Sequence, residues 1–141
     1  MKQIKWLVKA APFLYMGLIW HLSGRPADHY LTFPRADSLI KESLHLVEFA
    51  VLYLLFVLFF LVDGKLTKKT NLVSALVAAF YGFLDEIHQW FVPYRSATVI
   101  DVVKDVTGVT IAYILVTRGY FGHKNRLGAF MKKVENDYKN H

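Results

Sequence analysis

No cysteine occurs anywhere in the 141-residue sequence, which excludes disulfides and thiolate metal sites and leaves the redox compartment open. Also lacking is a basic face of the kind that reads nucleic acid. The formal charge is +6, yet the lysines and arginines sit at the ends of apolar segments, not along a solvated surface with aromatic or polar readers between them. No G-x-S-x-G context frames Ser23 or Ser96, so a serine nucleophile of that type has no support. What the chain has in excess is apolar character. Hydrophobic residues make up 55% of it, above the roughly 45–50% usual for soluble domains, and the mean hydropathy is +0.31. A single membrane domain fits that length and composition.

Four apolar segments approach the ~20 residues that a helix needs to cross a hydrocarbon core. They run over Ile4–Ser23, Leu44–Val62, Asn71–Phe91 and Ala97–Val116, the second being the most apolar. Unpaired backbone amides are too costly in lipid, so all four are predicted to be helices, giving an all-α integral membrane bundle. Lys9 interrupts the first run, and "HLSGRPA" is a poor small-x-small cleavage site, so this segment reads as a retained helix and not a signal peptide. Residues 117–141 read as a basic, solvated tail within reach of anionic headgroups.

The cations set the orientation. Twelve lie on the side of the termini and of the loop between the second and third segments, from Lys2, Lys5 and Lys9 through Lys65, Lys68 and Lys69 to Lys139. Arg25, Arg35, Lys41 and Arg95 lie on the other side. The positive-inside rule then places both termini in the cytoplasm and the loops 24–43 and 92–96 outside. Ser96 is placed to cap the fourth helix.

That topology gathers the ionisable residues toward the outer half of the membrane. His45 and Glu48 enter on the second helix; Asp85, Glu86, His88 and Gln89 end the third; Asp101, Lys104 and Asp105 begin the fourth. Spacings of three or four put His45 with Glu48, Glu86 with Gln89, and Asp101 with Asp105 on shared faces. A charge at mid-bilayer costs about 2.5–3.5 kcal/mol on insertion scales, so these groups are expected to face one another or water. The inner halves of the helices offer only Ser74, Thr107 and Thr110, which does not make a polar path across the membrane.

The run "DEIHQWFVPYRS" followed by "DVVKDVTG" resembles the signature of the VanZ-like family of small bacterial membrane proteins. In that signature an Asp-Glu pair, a Gln three residues on, a Pro-x-Arg turn and a following Asp recur in this order. "KESLHLVEF" looks like the family's second-helix pattern, and "IWHLSG" like the end of its first helix, so the likeness spans Phe13 to Tyr113. Glu42 and Tyr94 depart from the pattern, where a lysine and a glycine are usual. The resemblance implies a protein of the bacterial cytoplasmic membrane and cell envelope, in a family named for glycopeptide (teicoplanin) resistance, and supplies no mechanism.

The residue chemistry adds candidates. Arg95 can offer a planar fork to a carboxylate or phosphate, with Pro93 stiffening its turn; it can equally hold Glu86 or Asp101 in a structural ion pair. Glu86 and Glu48, if desolvated, could act as general acid or base, with Asp101 and His45 orienting; buried carboxylates can also merely pair helices. Gln89, Asp85, Asp105, Lys41 and Ser23 complete the expected ligand contacts. His45-x-x-Glu48 is a weak match to carboxylate-metal bundles, which repeat Glu-x-x-His, so neither metal nor cofactor is expected. Trp6, Trp20, Tyr30, Trp90, Tyr94 and Tyr120 suit interfacial positions.

The expected function is recognition of an anionic lipid-linked or cell-wall component in an outward-facing polar pocket. The alternatives are an accessory protein whose ionic cluster only assembles the bundle, and a small membrane transferase or hydrolase acting on a lipid-linked substrate. Membrane lipids are expected partners and nucleic acid is not; the oligomeric state cannot be read from the sequence.

Overall fold

A computed structural model describes residues 2–25, 36–93, 95, 97–122 and 125–139. Five α-helices follow in order: α1 (Lys2–Ser23), α2 (Ala36–Leu61), α3 (Lys68–Trp90), α4 (Val99–Val116) and, after a π-helical turn at Thr117–Phe121, α5 (Arg126–Lys139). There is no strand among the described residues. α2 is the central element and packs on α4, α3 and α1. Its buried residues Phe49, Leu52, Tyr53, Phe56, Val57 and Leu61 recur at spacings of three and four, the period that keeps one side of a helix turned inward. Gly108 of α4 lies against the Leu46 carbonyl of α2 so closely that any Cβ there would collide with it. The two helices can touch backbone to backbone only because that position has no side chain.

α3 inverts the usual distribution of a soluble helix. Its buried residues are Asn71, Ser74, Ala75, Ala78, Gly82, Asp85, Glu86 and Gln89, every one small or polar. Its large apolar residues, among them Leu76, Phe80, Phe83, Ile87 and Trp90, are exposed. The same holds for Trp6, Leu7, Phe13 and Leu14 on α1 and for Val99, Val103, Ile111 and Leu115 on α4. A soluble amphipathic helix would bury these and expose the carboxylates. By length and apolarity α3 alone among the described residues qualifies as a span, while Leu46–Leu61 is an apolar helix of shorter length. α4 carries Asp101, Lys104 and Asp105 within its 18 residues.

Three boundaries differ from the sequence expectation. α2 begins at Ala36, eight residues before the apolar run, because a helix can continue through polar residues once its inner part is anchored. Thr98 caps α4, its hydroxyl accepting from the Asp101 amide; Ser96 lies outside the described residues. The segment read as a solvated tail forms α5, which folds back toward the α2–α3 turn. Met131 is buried, the Tyr120 hydroxyl and the Lys139 ammonium both donate to Glu135 at 2.5 and 2.6 Å, and the Lys139 side chain lies over Gly64. Gly64 has a φ of +64°, the left-handed turn conformation that other residues rarely adopt. At the same end, Lys9 of α1 reaches Asp63 at 2.6 Å.

Candidate functional site

At the other end of the bundle the polar residues form one connected network. Asp85 and Gln89 are one α3 turn apart, and the Gln89 amide donates to Asp85 Oδ2 at 2.7 Å. Ser23 closes α1 and donates its hydroxyl to Asp85 Oδ1 at 2.6 Å. Asp85 is buried, and each of its oxygens therefore receives one donor, the condition under which an enclosed carboxylate is tolerable. Gln89 is a two-ended connector: its carbonyl oxygen accepts from Arg95 Nη1 at 3.0 Å. This network fixes the amide orientation, since the reverse would set two donors or two acceptors face to face.

Arg95 also donates from Nε to the Arg25 carbonyl at 3.1 Å and from Nη2 to the Leu22 carbonyl at 3.3 Å. The last carbonyls of a helix have no partner within it, and a guanidinium fork suits them. All three contacts are thus to uncharged acceptors. The expected ion pair of Arg95 with Glu86 or Asp101 does not form, because the short loop after α3 aims the guanidinium at the end of α1. Asp101 instead accepts from the Thr98 hydroxyl at 2.6 Å and from Lys104 at 3.1 Å, a local arrangement at the start of α4.

His88 joins this network, and so does Trp20, which the sequence reading assigned to the membrane interface. The imidazole stacks on the Trp20 ring with centroids 3.8 Å apart and planes at 11°, and its Nδ1 lies 3.2 Å from Ser23 Oγ. Ser23 has one proton and gives it to Asp85 at the shorter distance, so the Nδ1 that faces its oxygen is the protonated one. Ser23 thus links His88 to Asp85, three residues before it on α3.

Other expected site residues stand apart from this network. Glu86 and Asp105 are 5% and 0% exposed. The Asp105 carboxylate packs over Gly82, where an added Cβ would sit 3.3 Å from its Oδ2. Glu48 is half-buried on α2, within electrostatic range of the Tyr15 and Tyr81 phenols. His45 and Lys41 lie on α2, with side chains outside the described residues. No group of three or more His, Asp or Glu arranged to hold a metal is present among the described residues. A second buried network was not anticipated: Tyr53 donates to Asn71 at 2.6 Å, and Asn71 donates to Thr117 at 3.0 Å. Thr107 and Thr110 instead bond to their own helix, at the Val103 and Val106 carbonyls.

A helical bundle with ionisable groups inside and large apolar side chains outside is built for contact with lipid. The chain belongs to the VanZ/LLP1 family, whose model matches residues 3–120. The match spans nearly all of α1 and the whole of α2, α3 and α4, including the Ser23, Asp85, Gln89 and Arg95 network, and ends before α5. No curated protein and no solved structure matches the chain.

Proposed function

We propose that this protein crosses the bacterial cytoplasmic membrane with α1, α2, α3 and α4, both termini in the cytoplasm, and uses the Ser23 end to recognise an anionic envelope component. Such a component would be a lipid-linked phosphate or a cell-wall precursor. Family membership, the apolar exterior and the lysine-rich end around Asp63 support the placement. The observation that carries the recognition reading is the Arg95 guanidinium, which is held in place by three uncharged acceptors. Its orientation is therefore fixed while its charge is not neutralised by those contacts, which is how a preorganised anion receptor is built. In this reading Glu86 and Glu48 would serve proton transfer, and Asp101, Asp105, His45 and Lys41 would supply the further contacts assigned to them from the sequence. One observation favours a second reading, an assembly role without ligand: the Ser23–Asp85 bond ties α1 to α3.

Co-purification tests the proposal. Protein extracted in mild detergent beside its Arg95→Ala variant is analysed by native mass spectrometry for retained phosphate-bearing lipids and precursors. A species held by the parent and absent from an equally folded variant supports recognition. Identical retention by both removes Arg95 from any binding role.

A further inference from the structure

At the opposite end from the Ser23 network, an open cleft of about 220 Å³ is lined by Lys5, Trp6, Lys9 and Asp63. Four features of this cleft belong together. Lys9 is clamped in place, its ammonium 2.6 Å from Asp63 and 5.2 Å from the centroid of the Phe59 ring. Lys9, Lys65 and Lys5 all act electrostatically on the Asp63 carboxylate and hold it below its usual range, so one acid faces three cations and the cleft stays positive. Lys5 makes no hydrogen bond or ion pair among the described residues, so its ammonium remains available. Finally, Trp6, itself part of the lining, is 76% exposed, an apolar surface directly beside the two lysines.

We infer that this cleft binds the phosphate of an anionic phospholipid headgroup. Lys5, together with the excess positive charge of Lys9 and Lys65, meets the phosphate. Trp6 carries the adjoining acyl chain, an interfacial tryptophan being suited to a site that is wet on one side and apolar on the other. Asp63 does not defeat the site, because it is already engaged by Lys9 and orders that ammonium in the cleft wall. A free phosphate would use the lysines alone and leave the exposed apolar flank without a role. An amphipathic anion uses both.

The test is a titration of the detergent-purified full chain with phosphatidylglycerol or phosphatidylcholine, bound lipid being counted by native mass spectrometry, with inorganic phosphate as competitor. Selective retention of phosphatidylglycerol that inorganic phosphate does not displace supports the site. Lys5→Gln should weaken that retention about five-fold, the factor corresponding to ~1 kcal/mol per basic residue at an anionic surface. Trp6→Ala should weaken both lipids, and Arg95→Ala should change neither, which separates this site from the proposed recognition site. The inference is overturned if phosphatidylcholine is held equally well, if Lys5→Gln has no effect while circular dichroism shows the native helix content, or if millimolar phosphate displaces the lipid.

Discussion

Ser23 and Asp85, 62 positions apart in sequence, meet at 2.6 Å and join the end of α1 to the last turns of α3. The contact is buried, and among the described residues Asp85 has one other donor, the Gln89 amide. Ser23→Ala would leave a buried carboxylate oxygen without that donor. The expected cost is about 1–3 kcal/mol, since a polar group stranded out of water loses its full solvation. Thermal unfolding in detergent measures it. Asp85→Asn in the Ser23→Ala background should restore part of the loss, because a neutral amide is cheaper to strand than a carboxylate. Equal melting temperatures for parent and Ser23→Ala would show that the bond adds nothing.

Three glycines make a graded test of the packing. Gly108→Ala drives a methyl into the Leu46 carbonyl, and backbone on a central helix cannot move aside, so loss of folded protein in the membrane is expected. Gly82→Ala places its Cβ 3.2 Å from Asp105 Cβ and 3.4 Å from Phe49 Cδ1, a tight fit that should lower the melting temperature without abolishing folding. Gly17→Ala meets nothing within 4 Å and should be neutral or stabilising by up to ~1 kcal/mol, the helix-propensity difference. Membrane accumulation and melting temperature give the order, and any other order contradicts the packing described.

Stability should depend on pH at both extremes, with opposite signs. The Lys9 ammonium holds the Asp63 carboxyl below its usual 3.8. The unfolded chain takes up that proton first, so this contribution is present at neutral pH and is lost as the pH falls from 3.8 through the depressed value. Burial, and then the bond to Glu135, push the Tyr120 phenol from 10.0 up to about 12. That contribution is present below pH 10 and is lost as the pH rises to about 12, because the unfolded chain gives up its proton first. Asp63→Asn should flatten the acid limb of the melting profile and Tyr120→Phe the alkaline limb. A limb that keeps its shape in its variant refutes the assignment.

The absence of cysteine makes the proposed topology directly testable with single introduced thiols. Pro93→Cys should react with an impermeant maleimide in intact cells, and Lys133→Cys only after the membrane is opened. The reverse pattern would invert the orientation.

Much of this architecture could be read from the sequence, because a long apolar run in a chain with few breakers leaves little choice but helix. The third run, Asn71–Phe91, corresponds to α3 at Lys68–Trp90, and the fourth, Ala97–Val116, to α4 at Val99–Val116. The start of α2 and all of α5 were missed for one reason: their polar residues do not stand out when helices are sought by apolarity, and α5 exposes more charge than apolar surface. Asp85, Gln89, Arg95 and Ser23, which the sequence reading named as candidates, meet in one network. Their pairings were not legible there, since two of the Arg95 acceptors are backbone carbonyls, which carry no sequence signature, and the Ser23–Asp85 pairing depends on how α1 and α3 dock.

The most direct test of anion recognition is a comparison of binding of a polyprenyl phosphate and the corresponding polyprenol to the parent, Arg95→Ala and Ser23→Ala proteins in one detergent. Both substitutions loosen ties to α1, but only the first removes the cation. Recognition predicts that the parent prefers the phosphate and that Ser23→Ala keeps this preference. Arg95→Ala should lose it by about 10- to 100-fold, the range expected for hydrogen bonds to a charged group. Equal binding of phosphate and alcohol by the parent, with both variants merely less heat-stable, would contradict recognition and leave the network as the device that holds α1 to α3.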